Sequence, residues 1–190
     1  MSEPEDDPVL QNALQHAQAV QYDNYAFRAI PGGWVVHNLD FEQLWAGTSA
    51  GRCNPDGVKR LYLSVEKETA QAEFEYYATQ DGVDPDLAEC YSFAAKVKIE
   101  RVLDLTSKAV RKQVGISLRE IEADWKGKPH QPSQLQLIGY WVSKGYGKFS
   151  AILYPARRRQ AGKNIVIFKE CLTRGDYVTP VSRKPTKGWP

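Results

Sequence analysis

The plainest pattern in the chain runs over residues 91–105. Phe93, Ala95, Val97, Ile99, Leu103 and Leu105 fall on one face of an extended segment, and Lys96, Lys98, Glu100 and Asp104 fall on the other. One apolar face and one polar face suit a strand of an antiparallel sheet. Residues 60–65 alternate in the same way, with Leu61, Leu63 and Val65 inward. Residues 25–30, 34–36, 150–154 and 164–168 read as further strands. The last two are separated by a loop over 157–162. Pro31-Gly32-Gly33 marks a turn after the first of them.

Helical spacing appears between these runs. Val9, Leu10, Ala13, Leu14, Ala17 and Val20 form a stripe of period 3.6, with Glu5, Asp6 and Asp7 near its start. Asp40 can cap a short helix carrying Phe41, Leu44 and Trp45. Ser64 is placed to cap a helix that carries Glu66 and Glu68 in its first turn, reaches about Gln80 and is broken over residues 81–86. Two or three more helices are expected, over 107–114, 118–125 and 133–144. Residues 47–57 are rich in turn formers and read as an exposed loop. Strands mixed with helices, without regular βαβ alternation, predict an α+β fold. The expected architecture is a single domain with a bent or split, mainly antiparallel sheet and flanking helices.

Composition narrows the function. A chain of 190 residues suits one domain with a real core. No apolar run approaches the ~20 residues of a membrane span. Pro4, Asp6 and Asp7 do not fit a secretory leader, so the cytoplasm is the expected location and no membrane partner is expected. Cys53, Cys90 and Cys171 are too scattered for a disulfide framework, and His16, His37 and His130 too scattered for a zinc site, so no metal is expected. The formal net charge is +2, with basic residues gathered at Arg157-Arg158-Arg159 and, toward the end, at Arg174, Arg183, Lys184 and Lys187. Basic and aromatic residues are not interleaved as a nucleic-acid surface would want, so no direct nucleic-acid contact is expected. Neither GxGxxG nor GxxxxGK[ST] occurs, which disfavours Rossmann and P-loop nucleotide sites.

Three residues stand out chemically. Glu73 shares its helix stripe with Ala70, Phe74 and Tyr77, and a carboxylate on an inward face is either paired or functional. The structural alternative is a salt bridge with Arg28 or Lys96. Arg52 lies in a Gly/Asn/Pro loop, from which a guanidinium can reach phosphates or simply meet solvent. Tyr62 has the opposite parity to Leu61 and Leu63, so its ring faces a cleft or covers the sheet.

Together these residues resemble a known family. The run Gly51-Arg52-Cys53-Asn54-Pro55, then Gly57, then Leu61-Tyr62-Leu63-Ser64, with an acid in the next helix, resembles RES-domain toxins of bacterial toxin–antitoxin systems. Phe27-Arg28-Ala29-Ile30, Val102-Leu103-Asp104-Leu105-Thr106, Ile152-Leu153-Tyr154-Pro155 and Gly162-Lys163-Asn164-Ile165-Val166-Ile167-Phe168 extend the likeness over most of the chain. The resemblance implies a fold related to ADP-ribosyltransferases. NAD is then the substrate rather than a bound cofactor, and cleavage of its nicotinamide–ribose bond arrests growth. It implies catalytic roles for Glu73, Arg52 and Tyr62, and NAD binding by Arg28, Arg52 and Tyr62. It also implies a cognate antitoxin or immunity protein as partner; a protein acceptor and a homo-oligomer are compatible with it. The expected organisation is a helical extension over residues 1–23, the NAD-binding domain over 24–172 and a basic flexible tail over 173–190. One position departs. The family commonly has Pro-Ser-x-Arg, whereas Pro155 here is followed by Ala156, Arg157 and Arg158. The alternatives are therefore a protein ADP-ribosyltransferase and a weakened relative that binds nucleotide or antitoxin.

Overall fold

The computed structural model describes residues 6–32, 40–45, 47–80, 82, 89–123 and 132–188. The expected strand over 34–36, His37, His130 and most of the 81–86 break lie outside them. Helix α1 (Pro8–His16) begins where the Asp7 carboxylate accepts the Leu10 N–H at 2.9 Å and proline occupies the first turn. Its buried edge is Leu10 and Leu14, continued by Ala17, while Val9 is 80% exposed, so the stripe is narrower than its spacing predicts. Strand β1 (Ala19–Pro31) follows directly. The helical segment therefore stops at His16, and residues 19–23 belong to the sheet.

Strand β2 (Arg60–Ser64) and helix α2 (Lys67–Gln80) follow the pattern of residues 60–80. Ser64 does not cap α2; its hydroxyl donates instead to Asn164 Oδ1 at 2.8 Å. Strand β3 (Cys90–Asp104) pairs antiparallel with β1 from Ala19 opposite Leu103 to Pro31 opposite Cys90. Between Val20–Val102 and Tyr22–Ile99 two residues of β3, Glu100 and Arg101, face one of β1. This bulge breaks the alternation, and Val102 and Leu103 are both buried as a result. Serines start the next three helices. Ser107 caps α3 (Lys108–Gln113), and Ser117 and Ser133 form capping boxes with Glu120 and Gln136 at α4 (Leu118–Glu122) and α5 (Gln134–Ser143). Strands β4 (Ala151–Pro155) and β5 (Lys163–Phe168) form a hairpin.

Residues 173–190, expected as a tail, contribute β6 (Tyr177–Pro180) and β7 (Thr186–Lys187), both antiparallel to β3. The strand order β1-β2-β5-β4-β3-β6 is mainly antiparallel, with β3 and β4 parallel. Because β1 also pairs with β3, the sheet folds back on itself. The seam is the β1–β2 contact at Phe27–Ser64. The expected α+β class with a bent, mainly antiparallel sheet is thus found. One core fills the inside of the bend, built from residues such as Ile30, Leu61, Leu63, Phe93, Val97 and Ile165. A second lies between the helices and the outer face of β2, β5 and β4, and includes Leu14, Ile121, Ile138, Ile152, Val166 and Phe168.

Candidate functional site

The outer face of β2, β5 and β4 is apolar where helices cover it and turns polar at one row. In that row Ser64 is opposite Asn164, and Asn164 is opposite Tyr154. All three side chains are buried, Ser64 and Asn164 being 6% and 7% exposed. From α2 the Glu73 carboxylate reaches the row and accepts a hydrogen bond from Asn164 Nδ2 at 3.1 Å. A line of hydrogen bonds therefore runs from the Ser64 hydroxyl through the Asn164 amide to Glu73. Lys96, one of the two structural partners considered for Glu73, pairs instead with Asp23 at 2.7 Å. Arg28 comes in from β1. Burial pushes its pKa down, while Tyr77, Tyr154 and Glu73 lie close enough to act in the opposite direction. A guanidinium keeps its charge in a protein, so a cation lies within electrostatic reach of Tyr154 and Glu73.

Tyr62 occupies the neighbouring row, opposite Val166. Its hydroxyl donates to Asn54 Oδ1 at 2.7 Å and accepts the Cys53 N–H at 2.8 Å. The ring is thereby pinned to the 51–57 loop. That loop is not the exposed turn its composition suggests: Gly51, Cys53, Asn54 and Pro55 are buried. Asn54 also donates to the carbonyls of Ser49 at 3.1 Å and Pro55 at 2.7 Å, and accepts from Arg60 Nε at 3.1 Å. Gln136 of α5 ties the loop down by donating to the Gly51 carbonyl at 2.8 Å. Gly51 is required here because a Cβ would stand 2.7 Å from both Asn54 Oδ1 and the Tyr62 hydroxyl.

Arg52 is only partly in the position expected of it. Its Nη1 donates to the carbonyls of Ile121 at 2.9 Å and Ala123 at 3.0 Å, at the C-terminal end of α4. The guanidinium still lies near enough to Cys53, Tyr62 and Tyr154 to act on their ionisation. Tyr154 is the member common to both halves of the site. Burial holds its pKa well above the ordinary tyrosine value, with further upward contributions from Cys53, Tyr62 and Glu73. It is a neutral hydroxyl at physiological pH. The Cys53 thiol is likewise pushed up to about 12 by burial, against a smaller pull from Arg52 and the Tyr154 and Tyr62 hydroxyls, so it is no nucleophile.

Ala156, where the resemblance expected serine, is buried, and its N–H donates to the Gly162 carbonyl at 2.8 Å across the base of the β4–β5 loop. That loop folds onto α2. The Arg158 guanidinium lies 3.1 Å from the Tyr76 ring centroid, and Arg159 reaches Thr69 Oγ1 at 3.4 Å and Glu66 at 3.9 Å. Tyr76 and Thr69 stand about one turn to either side of Glu73, and Glu66 lies just before the helix. The basic cluster of the 157–162 loop is therefore engaged at the edge of the site.

Residues 26–185 match the family model of the RES domain. The chain belongs to the RES domain family. No curated protein sequence matches it. Among solved structures, a chain from the M. tuberculosis MbcT–MbcA toxin–antitoxin complex superposes with a TM-score of 0.68 at 19% identity, over 96% of this chain and 93% of that one. At that identity the likeness establishes the fold. Within this RES domain, sequence reasoning selected Glu73, Arg28, Arg52 and Tyr62, and overlooked Asn164, Tyr154, Asn54 and Gln136. Only Tyr154 and Asn164 carried a signal, as polar residues inside otherwise apolar strand patterns.

Proposed function

We propose that this RES-domain protein is the toxin of a toxin–antitoxin pair and cleaves the nicotinamide–ribose bond of NAD. The observation that carries the reading is the Glu73 carboxylate held by Asn164 beside Arg28 and Tyr154. Breaking the bond expels neutral nicotinamide and leaves positive charge on the ribose. A preorganised carboxylate stabilises that charge most where it develops, in the transition state. Arg28 suits the pyrophosphate, since its charge is already partly desolvated and gains from an anionic partner. Tyr154 supplies a hydroxyl, and the pinned Tyr62 ring a wall for a planar group. Arg52 contributes charge to the same region while bracing α4.

The acceptor completes the balance. Water yields ADP-ribose, nicotinamide and a proton. Phosphate yields ADP-ribose phosphorylated at the cleaved carbon, and a protein side chain yields an ADP-ribosylated protein. The MbcT–MbcA structure is that of a toxin–antitoxin complex, and by that likeness the partner proposed here is a cognate antitoxin. Purified protein incubated with NAD, with and without phosphate, and resolved by chromatography tests the reading. Nicotinamide release is expected, and the second product identifies the acceptor. Glu73→Gln should reduce turnover roughly a hundredfold to a thousandfold while NAD affinity changes little. Binding of NAD without any release of nicotinamide would favour the weakened, binding-only relative to which Ala156 points.

A further inference from the structure

We infer that Asn164, held by Ser64, is a positioning residue that fixes the Glu73 carboxylate for turnover; the inference rests on the proposed NAD cleavage. Glu73 can only accept hydrogen bonds once ionised, so the Asn164 amide must present its NH2 to it. The Asn164 carbonyl oxygen then points the other way, where the Ser64 hydroxyl donates to it at 2.8 Å. Flipping the amide would place its oxygen against the carboxylate, so Glu73 sets the orientation, and the Ser64 hydroxyl, able to donate or accept, completes it as the donor. Ser64 and Asn164 face each other on adjacent strands at fixed register, so the amide is held in place by the sheet. Glu73 itself stands on a helix with three rotatable side-chain bonds and a partly exposed position. The 3.1 Å bond from a buried strand residue ties that carboxylate to the sheet.

Asparagine suits this task where serine or lysine would not. A lysine would neutralise the charge that the ribose cation needs. A neutral donor orients the anion and leaves its charge intact. Arg28 from β1 and Tyr154 from β4 lie within electrostatic reach of Glu73, and Tyr77, one turn along α2, acts on the same Arg28. Asn164 from β5 is the neutral member of the set, and it does not touch the substrate carbon in this scheme. Its removal acts through Glu73 alone.

A double-mutant cycle tests this. Nicotinamide release and NAD affinity are measured for wild type, Asn164→Ala, Glu73→Gln and the double variant, with melting temperature alongside. Asn164→Ala should lower kcat roughly tenfold to a hundredfold, the scale of a misplaced catalytic group, with KM changed less than about threefold. In the Glu73→Gln background the same change should lower kcat by less than about twofold, because there is no anion left to position. A full additional loss in that background would overturn the inference and make Asn164 a general structural residue. Unchanged kcat for Asn164→Ala with Glu73→Gln impaired would also overturn it, while leaving NAD cleavage by Glu73 standing. Should Asn164→Ala fail to fold, Ser64→Ala supplies the same cycle through the other end of the amide, with a smaller loss in the same direction. Failure of the underlying function would look different, since wild type would then release no nicotinamide.

Discussion

Replacing Asn54 with alanine should damage this protein far more than its place among glycine and proline suggests. The side chain is fully buried and serves four partners: it donates to Ser49 and Pro55 and accepts from Tyr62 and Arg60. A neutral hydrogen bond contributes about 1 kcal/mol net, and a buried group left without a partner costs about 1–3 kcal/mol. The Arg60 bond deserves little weight, because Arg60 is partly exposed and keeps its Nη2 bond to the Ser49 carbonyl at 2.8 Å. Tyr62 is different, since its proton loses the acceptor it was aimed at. The remaining three bonds and one orphaned hydroxyl amount to roughly 4–6 kcal/mol, against a total stability of about 5–15 kcal/mol for a domain. For a chain of this length that is a fall in melting temperature of roughly 10–20 °C. Urea unfolding of both proteins, with equal slopes, measures it. Asn54→Asp is the informative control. It keeps the shape but turns an oxygen toward the Ser49 and Pro55 carbonyls where the amide gave protons, so it should be no milder than alanine. Midpoints within about 0.5 kcal/mol of wild type for both variants would refute the reasoning and return this segment to an ordinary exposed turn.

Other perturbations follow from the same geometry. Arg52→Ala should weaken NAD binding and also lower stability by about 2 kcal/mol, because it frees two carbonyls at the end of α4; melting curves and calorimetric titration separate the effects. Gly139→Ala should cost more than about 3 kcal/mol or abolish folding, since the new Cβ would lie 1.6 Å from the Cys53 carbonyl oxygen and backbone would have to move; expression and thermal unfolding check it. Stability should fall as pH rises above about 9. Cys53 is raised in the folded state to about 12, so the unfolded chain loses that proton first, and burial of Tyr62 and Tyr154 acts in the same direction from about 10 upward. Urea midpoints at pH 7, 9, 10 and 11 should decline steadily, and Cys53→Ala should flatten the slope between 9 and 10.

Most strands and helices were legible because each carries its own period. β3 shows both the reach and the edge of that logic. Its alternation is plain from Phe93 to Ile99, but Leu103 and Leu105 share that parity while packing in the other core. The hint was the adjacent apolar pair Val102-Leu103, which a regular strand cannot bury on one face. The candidate site was half legible. Glu73 betrayed itself by standing in an apolar stripe. Its supporting residue did not, because the Ser64–Asn164 pairing joins positions 100 residues apart and register between distant strands is written nowhere locally. The same limit explains Ser64. A serine shortly before an acidic helix turn fits a cap, and only the opposing strand reveals that its hydroxyl is spent elsewhere. Asn54 misled for another reason. Turn formers imply solvent until their polar groups are seen to satisfy one another.

The pairing of residues 177–187 with β3 has a consequence for solution behaviour. β3 spans 15 residues, and on the side away from β1 it presents backbone donors and acceptors along much of its length. An open edge of that length is a template for a second chain. β6 takes the stretch from Ala95 to Lys98, β7 takes Tyr91 and Ser92, and Lys187 closes the end with an ion pair to Glu89 at 2.8 Å. The short C-terminal strands bury little, with Tyr177 and Thr179 exposed, so their value is as a guard. A chain truncated after Leu172 would keep every residue assigned to the site and yet offer β3 to its neighbours, and it should be lost to aggregation before any loss of chemistry could be measured.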